Sequence, residues 1–308
     1  MKKPILLVMA AGMGSRYGGL KQIEPIGPGG EILMDYSIYD AVKAGFERLV
    51  CIIKREMKGD FDALVLDRVR AHIEADCAFQ STDDLPAGFS VPAGREKPWG
   101  TAQAVLAARD LTDAPFLVIN SDDYYGPAAF RTAFDWLSAP RKTTGKLHYG
   151  MVGYLAKNTL TENGAVTRGV CEADERGRLT RITERAGLER SPGGARFPAE
   201  DGSGAWTEIG GDTLVSMNFW CLDPGFTDLA ARDFPRFLEE NLPANPQKCE
   251  YLLPAEIDAQ IRRGEAEVEV LQSADRWYGV TYREDRAQVA EALREKHRAG
   301  LYPAPLWG

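Results

Sequence analysis

The sequence predicts an α/β fold with a doubly wound, mostly parallel, Rossmann-like sheet and an antiparallel hairpin addition in its second half. In the first half, short apolar runs alternate with amphipathic helical patterns, which is typical of a parallel sheet covered by helices. In the second half, two alternating runs flank a glycine-containing turn, which is typical of a hairpin. The chain has 308 residues, of which 44% are hydrophobic, so it can bury a large core.

The first half begins with a strand and continues with alternating helices and strands. The apolar run at residues 5–8 predicts a buried strand, and a helix is expected over 36–44, capped by Asp35 and ended by Gly45. The following patterns predict a strand at 49–53, helices at 60–74 and 100–108, a buried strand at 116–120 and a helix at 128–137.

The second half starts with a strand at 149–156 and the hairpin of 169–173 and 179–183. The segment 187–211 is rich in glycine, proline and charge, which predicts a long loop or lid. Further strands are expected at 214–222 and 268–271, and further helices at 229–242, 255–263 and 284–297. No repeat or composition break marks a boundary, so we expect a single domain over 1–308 whose halves meet near residue 145.

Charge and cysteine content narrow the class of protein. The formal net charge of −8 argues against nucleic acid as a partner. The N-terminal apolar stretch is far shorter than the roughly 20 residues that span a membrane, so we expect a cytoplasmic protein without a membrane partner. Five cysteines without C-x-x-C spacing predict buried free thiols rather than a zinc site.

A glycine-rich loop follows the first predicted strand directly. It contains Gly12 and Gly14, two further glycines at 18 and 19, and the cations Arg16 and Lys21. Glycines let several backbone N–H groups approach a ligand closely, and cations complement its charge, so the loop is suited to a polyphosphate. The spacing fits neither a dinucleotide fingerprint, because Tyr17 replaces the third glycine, nor a Walker loop, because Leu20 precedes the lysine.

A second candidate element stands at the end of the buried strand at 116–120. The residues Asn120, Ser121, Asp122 and Asp123 follow that strand, and hard oxygen ligands of this kind suit Mg²⁺. The carboxyl ends of parallel strands open into the ligand crevice of an α/β sheet. We therefore expect Asp122 and the glycine-rich loop to face the same site.

The pattern A-G-x-G-x-R with a downstream lysine resembles the sugar-1-phosphate nucleotidylyltransferases, also called nucleoside-diphosphate-sugar pyrophosphorylases. The resemblance implies a nucleotide-diphospho-sugar transferase type of fold, with a nucleotide-binding half at about 1–145 and a sugar-binding half at about 146–308. It also implies Mg²⁺-dependent transfer of a nucleotidyl group from a nucleoside triphosphate to a sugar 1-phosphate, with release of pyrophosphate. Relatives of this kind are often homo-oligomers. The catalytic residues that it implies are Arg16, Lys21 and Asp122, with Asp122 as the metal ligand.

The same resemblance extends to segments that border the nucleotide and the sugar. Trp99 to Ala104 resembles the family's G-(T/L)-A-x-A segment beside the nucleobase. The implied nucleotide-binding residues are Ala10, Ala11, Gly12, Gly14, Ser15, Gly100, Thr101, Gln103 and Asp123. The hairpin and the strand at 216–220 resemble the sugar side of the family's site, and the implied sugar-phosphate-binding residues are Glu184, Arg185 and Asn218.

The sequence departs from the family pattern at three of these positions. Arg185 replaces a lysine, and Asn218 stands where relatives have glycine. Gly279 stands where the W-x-D-x-G-T segment has the aspartate that is the second metal ligand. Other carboxylates could complete the metal site, and the candidates are Asp275, Asp212 and Glu208.

Two alternatives to the sugar nucleotidyltransferase remain open. The loop is also similar to that of isoprenoid-pathway cytidylyltransferases, which act on another phosphorylated alcohol, although the greater length of this chain favours a sugar acceptor. A non-catalytic sensor of nucleotide sugars, or a regulatory homologue, would fit the missing aspartate at Gly279.

Overall fold

A mixed sheet of eleven strands forms the centre of the computed structural model, which describes residues 2–12, 25–140, 145–199, 201–273, 275–280 and 282–307. A separate pair of two-residue strands, β5 and β13, lies beside it. The strands are β1 (Ile5–Met9), β2 (Arg48–Ile53), β3 (Glu74–Phe79), β4 (Phe116–Asn120), β5 (Asp123–Tyr124), β6 (Leu147–Leu155), β7 (Val166–Ala173), β8 (Leu179–Ser191), β9 (Gly194–Pro198), β10 (Trp206–Gly210), β11 (Leu214–Leu222), β12 (Ala266–Gln272) and β13 (Tyr278–Gly279).

The first half of the chain contains the parallel core of the sheet, in the order β3-β2-β1-β4. In β1, Leu6 and Val8 belong to one core cluster and Ile5 and Leu7 to another, so both faces of the strand are buried. This burial on two faces explains the continuous apolar run in the sequence. The strand order reverses between β1 and β4, and such switch points are where open α/β sheets bind ligands.

The second half joins the parallel core through β11, which is antiparallel to β4, β6 and β7. From β7 the sheet continues antiparallel through β8, β9 and β10, while β12 pairs in parallel with β6. The predicted α/β sheet with an antiparallel addition is confirmed, and the antiparallel part is larger than one hairpin.

Helices cover both faces of the sheet. One face packs against α1 (Leu33–Ala44), α2 (Lys58–Phe61), α3 (Asp67–Val69) and α5 (Pro127–Ser138), and the other against α4 (Thr101–Ala107), α6 (Gly225–Asn241) and α7 (Leu253–Arg262). The last helix, α8 (Asp285–Arg298), packs with the chain end against α1 and β5 in a third apolar cluster. Among the described residues, no helix combines the length and apolar character needed to cross a bilayer.

The structure corrects the loop predicted at 187–211. The segment contains the end of β8, all of β9 and all of β10, with a tight turn at Ser191 to Gly194. β10 is the outermost strand of the sheet, and most of its residues are exposed. An exposed edge strand lacks the apolar alternation that identifies strands in a sequence.

Two helix boundaries also differ from the prediction. α1 begins at Leu33, and Asp35 accepts a hydrogen bond from the Ile32 N–H at 2.8 Å from within the first turn. The helix expected over 60–74 is a broken helical stretch over 55–69, in which a π-helical segment separates α2 from α3. Glu74 already belongs to the edge strand β3, which the sequence analysis did not predict because charged residues interrupt its apolar pattern.

The cysteines match the prediction of thiols outside disulfides. None of the five forms a disulfide; Cys77 is half-buried, and the other four are buried. Their neighbours are mainly apolar core residues, so these thiols contribute to packing.

Candidate active site

The carboxyl ends of β1 and β4 lie side by side and define the candidate site. Met9 is level with Asn120 in the parallel ladder, and the Ser121 N–H donates to the Met9 carbonyl at 3.2 Å. Ala10 and Ala11 continue from β1 as buried residues, whereas Gly12 is exposed. The start of the glycine-rich loop and the aspartates after β4 are therefore neighbours. The predicted site residues Gly14, Ser15, Arg16 and Lys21 lie outside the described residues.

The two adjacent aspartates have different environments. Asp122 is exposed at the tip of β4, while Asp123 opens β5 and retains only 6% of its accessible surface. Since neighbouring residues of an extended chain point in opposite directions, only one of the pair faces solvent. Asp122 is thus the carboxylate that a soluble ligand can reach.

Asp123 is held by hydrogen bonds inside the protein. Its Oδ2 atom accepts from Nδ2 of Asn120 at 2.8 Å and lies 3.0 Å from the Tyr125 hydroxyl. Burial, reinforced by the negative charge of Asp122, raises the pKa of Asp123 to about 7, and the amide of Asn120 opposes this shift. The nucleotide contact predicted for Asp123 would have to use the Oδ1 atom, which faces Gly279.

Tyr125 connects this carboxylate to β11 in the second half of the chain. Its hydroxyl lies 3.0 Å from the carbonyl oxygen of Met217 in β11 and accepts a hydrogen bond from the Asn120 N–H at 3.0 Å. Met217 precedes Asn218, a residue predicted to contact the sugar. One buried hydroxyl therefore joins the end of β4, Asp123 and β11.

Asn218 lies at an irregularity of β11. The pairing register with β6 shifts between Ser216 and Trp220. Asn218 lies within this shift and has a φ of 56°, and among the described residues it is the non-glycine residue with a positive φ. Glycine tolerates this left-handed conformation best, and asparagine is among the side chains that tolerate it next best. This geometry explains how asparagine can stand at a position where glycine is expected.

The segment that contains Gly279 lies beside Asp123. Gly279 pairs with Asp123 between β13 and β5. A Cβ atom on Gly279 would lie 2.3 Å from the Trp277 ring and 3.0 Å from Oδ1 of Asp123. The indole of Trp277 therefore fills the space that a side chain at position 279 would need.

The three other carboxylates proposed as metal ligands have partners elsewhere. Oδ2 of Asp275 accepts from the Ala129 N–H at 3.0 Å and so caps α5. Asp212 is exposed and pairs with Lys157 at 2.5 Å, and Glu208 accepts from the Ser191 hydroxyl at 2.5 Å. Asp212 and Glu208 lie around the outer strand β10.

The segment predicted to border the nucleobase is tied into the fold. Gly100 has a φ of +104°, and a Cβ there would lie 2.6 Å from the Tyr251 carbonyl oxygen. The Thr101 hydroxyl oxygen accepts from the Leu253 N–H at 2.8 Å. Gln103 is buried, accepts from Gln80 at 2.7 Å and donates to the Ser81 carbonyl at 3.4 Å. These contacts give the three residues structural roles, while their nucleotide contacts stay predictions.

Glu184 and Arg185 lie on β8 opposite β7. Glu184 is level with Gly169 and is exposed, although surrounding protein raises its pKa by desolvation, with Arg168 opposing the shift. The Arg185 guanidinium stacks over the Phe197 ring at 5.0 Å. Consecutive strand residues alternate between faces, so the side chains of Glu184 and Arg185 lie on opposite faces of the sheet.

Arg168 is a buried charge that the sequence analysis did not single out as a site residue. It is 8% exposed, lies 4.6 Å above the Trp277 ring, and donates to the carbonyls of Thr159 at 2.6 Å and Thr167 at 2.8 Å. Burial lowers its pKa to about 10, and the negative charge of Asp123 opposes this shift. The sequence signal that could have identified Arg168 is its position directly before Gly169, where the predicted hairpin begins.

The donor set suits a hard cation such as Mg²⁺. Asp122 offers an exposed carboxylate, and the buried carboxyl of Asp123 follows it in the chain. Within the described ranges, no three potential ligand side chains converge. Magnesium usually binds proteins through one or two carboxylates and completes its shell with water and substrate phosphates. Asp122 would therefore hold the ion together with the substrate.

Solved structures share this architecture over nearly their whole length. One is a protein from Bacillus anthracis assigned as a glucose-1-phosphate thymidylyltransferase, with a TM-score of 0.59, 12% identity and coverage of 94% of this chain and 96% of that one. Another is the inositol-1-phosphate CTP transferase from T. maritima, with a TM-score of 0.57, 14% identity and coverage of 95% and 96%. A UDP-glucose pyrophosphorylase has a TM-score of 0.56, 15% identity and coverage of 96% and 100%.

At these identities the structural likeness shows the fold alone. A search of curated protein sequences found no match. The model of the family described as nucleotidyl transferase matches residues 5–256, which include β1, the glycine-rich loop, Asp122 and β11. The chain therefore belongs to the nucleotidyl transferase family.

Proposed function

We propose that this protein transfers a nucleotidyl group from a nucleoside triphosphate to a sugar 1-phosphate in a Mg²⁺-dependent reaction. One observation carries the proposal. The exposed carboxylate of Asp122 stands where β4 ends, beside the point where β1 enters the loop that contains Arg16 and Lys21. A metal-binding carboxylate and a polyphosphate loop on adjacent strand ends suit phosphoryl chemistry.

The reaction forms a bond between an oxygen of the sugar phosphate and the α-phosphorus, and breaks the bond from that phosphorus to the β-phosphate bridging oxygen. Pyrophosphate leaves with the electron pair. No covalent enzyme intermediate is required, so the chain contributes positioning and electrostatics. Bound Mg²⁺ would neutralise charge on the triphosphate, and Asp122 would hold it.

The remaining predicted residues divide between the two substrates. Arg16 would contact the leaving phosphates, and Lys21 the α-phosphate and the incoming phosphate. Glu184, exposed on β8, and Asn218, at the irregularity of β11, are the candidates for contacts with the sugar. The Tyr125 hydroxyl would hold the two sides in a fixed relationship.

The solved structures support the choice of acceptor at the level of fold. The names of the glucose-1-phosphate thymidylyltransferase and the UDP-glucose pyrophosphorylase both indicate a hexose acceptor. The inositol-1-phosphate CTP transferase favours a second candidate, transfer to another phosphorylated alcohol. The two candidates share the nucleotide chemistry and differ only in the acceptor.

The test is pyrophosphate release by the purified protein with Mg²⁺, across four nucleoside triphosphates and a panel of hexose 1-phosphates and inositol 1-phosphate. We expect release with one triphosphate and a hexose 1-phosphate, and its loss in Asp122→Ala. Release with inositol phosphate alone would favour the second candidate. If the protein bound nucleotide but released no pyrophosphate under any condition, the result would favour a sensor or regulatory role over catalysis.

A further inference from the structure

A groove lined by three arginines lies between α8 and the segment Pro25 to Gly27. It has a volume of about 470 Å³, which falls within the range of about 300–1,000 Å³ typical of small-molecule sites. α8 begins after residue 256, where the family match ends. The groove thus involves a part of the chain that the family match does not include.

The helix presents a regular pattern to this groove. Arg286, Ala290 and Arg294 line it and recur every four residues, so they share one face of α8. Val289 and Leu293 are buried on another face and anchor the helix to the third apolar cluster. Along the helix axis, Arg286 and Arg294 are about 12 Å apart at 1.5 Å per residue.

The charges along the groove favour an anion. The Arg283 side chain has no hydrogen bond or ion pair to any residue that the structure describes. Arg286 donates to the Pro25 carbonyl, which ties the two walls together. The carboxylate of Glu291 is shared between Arg294 at 2.7 Å and Arg298 at 3.1 Å, so it offsets only part of their charge. The result is a locally basic groove on a chain of net charge −8.

The groove also has apolar walls. Ile26 forms part of one side, and Ala287 and Ala290 form part of the other. Arg283 and Arg286 place guanidinium charge at one position along the groove, and Arg294 places it at a second position. Charges at two positions with apolar surface between them match a molecule that has two phosphate groups joined by a carbon skeleton. We propose that this groove is a second ligand site, which binds a small bisphosphorylated organic molecule apart from the catalytic site.

The test uses hexane-1,6-diol bisphosphate, which carries two phosphates on an apolar linker and no nucleobase. Its binding to the full chain is measured by isothermal titration calorimetry without Mg²⁺, in the wild type and in Arg16→Ala/Lys21→Ala. We expect saturable one-site binding in both proteins. Arg283→Gln/Arg294→Gln, which leaves the contact of Arg286 with Pro25 intact, should weaken binding at least tenfold.

Two controls make the outcome specific. Arg298→Gln removes a cation from the same helix outside the groove lining and should change the affinity less than twofold, and thermal unfolding verifies that each variant is folded. The proposal is overturned if no saturable binding occurs, if Arg283→Gln/Arg294→Gln binds as well as the wild type, or if Arg16→Ala/Lys21→Ala abolishes binding. The last result would assign the ligand to the polyphosphate loop. Because the readout is binding, it does not depend on the proposed reaction.

Discussion

Gly279 lies directly opposite Asp123 in the two-stranded ladder of β5 and β13, with the Trp277 ring occupying the space beside it. A side chain at position 279 would meet that ring at 2.3 Å. In this structure the Trp277 ring therefore leaves no room for an aspartate side chain at position 279.

We expect Gly279→Asp to destabilise the protein without creating a metal ligand. The new side chain would overpack against Trp277 and place a second carboxylate near Asp123, at a cost of about 1–3 kcal/mol. Thermal unfolding and Mg²⁺ titration measure the two effects. Adding Trp277→Leu to Gly279→Asp should recover part of the stability. Wild-type stability with a higher Mg²⁺ affinity in Gly279→Asp would contradict this interpretation of the packing.

Asp122→Asn should lower turnover by roughly 10²-fold or more, because it removes the charge that we propose to hold the cation. Since Asp122 is exposed, the free energy of unfolding should change by only about 0.5 kcal/mol or less. The matched control is Asp110→Asn, whose side chain is 95% exposed and remote from the strand ends. Pyrophosphate release at saturating substrate is the measurement. Equal rates in the two variants would remove Asp122 from the site.

Tyr125→Phe should lower both stability and turnover. The change leaves Asn120, Asp123 and Met217 each without one contact in a buried region, at a cost of about 1–3 kcal/mol. Tyr154→Phe is the control, because its buried hydroxyl donates to the Tyr125 carbonyl at 2.9 Å but does not contact Asp123. Chemical denaturation should show a loss in both variants, and only Tyr125→Phe should reduce kcat. A similar kcat in the two would limit Tyr125 to a structural role.

Substitutions of Asn218 separate backbone strain from side-chain chemistry. Because φ is 56°, Asn218→Ala should cost about 1 kcal/mol of stability, whereas Asn218→Gly should be neutral or stabilising. If the amide contacts the sugar, both variants should raise KM for the sugar phosphate. A raised KM in Asn218→Ala alone would assign the effect to the backbone.

The stability of the protein should fall as pH rises through the titration of Asp35. Burial raises the pKa of Asp35 to about 6, although Arg68 pairs with it at 3.1 Å. Between its ordinary value of 3.8 and about 6, the folded state binds more protons than the unfolded state, so this carboxyl makes folding less favourable at higher pH. The difference is at most about 3 kcal/mol at 1.36 kcal/mol per pKa unit.

Asp35→Asn should remove that dependence. Urea denaturation at pH 4, 5, 6 and 7 measures it as the difference from the wild type, which cancels the titration of other groups. Asp67→Asn, an exposed carboxyl on α3 that pairs with Arg70 at 2.7 Å, serves as the control. A constant difference between Asp35→Asn and the wild type across this range would show that folding does not shift the pKa of Asp35.

The sequence alone determined the elements in which apolar residues form a clear pattern or in which the residue types themselves indicate a chemical role. Burial on both faces made β1 and β4 continuous apolar runs, and the glycine-rich loop and Asp122 followed from those strands. The edge strand β10 was missed because its exposed residues give no apolar alternation, and β3 was missed because it carries the charged residues Glu74 and Asp76. The prediction of a loop at 187–211 was wrong because this segment contains β10.

Only the tertiary structure decided which of these residues have partners inside the protein. It separated exposed Asp122 from buried Asp123, engaged Gln103 with Gln80, and linked Tyr125 to Met217 across the sheet. These relationships join residues far apart in the chain, so no local pattern encodes them. Local periodicity determines which face of an element is buried, whereas burial and hydrogen-bond partners of a single polar side chain depend on long-range packing.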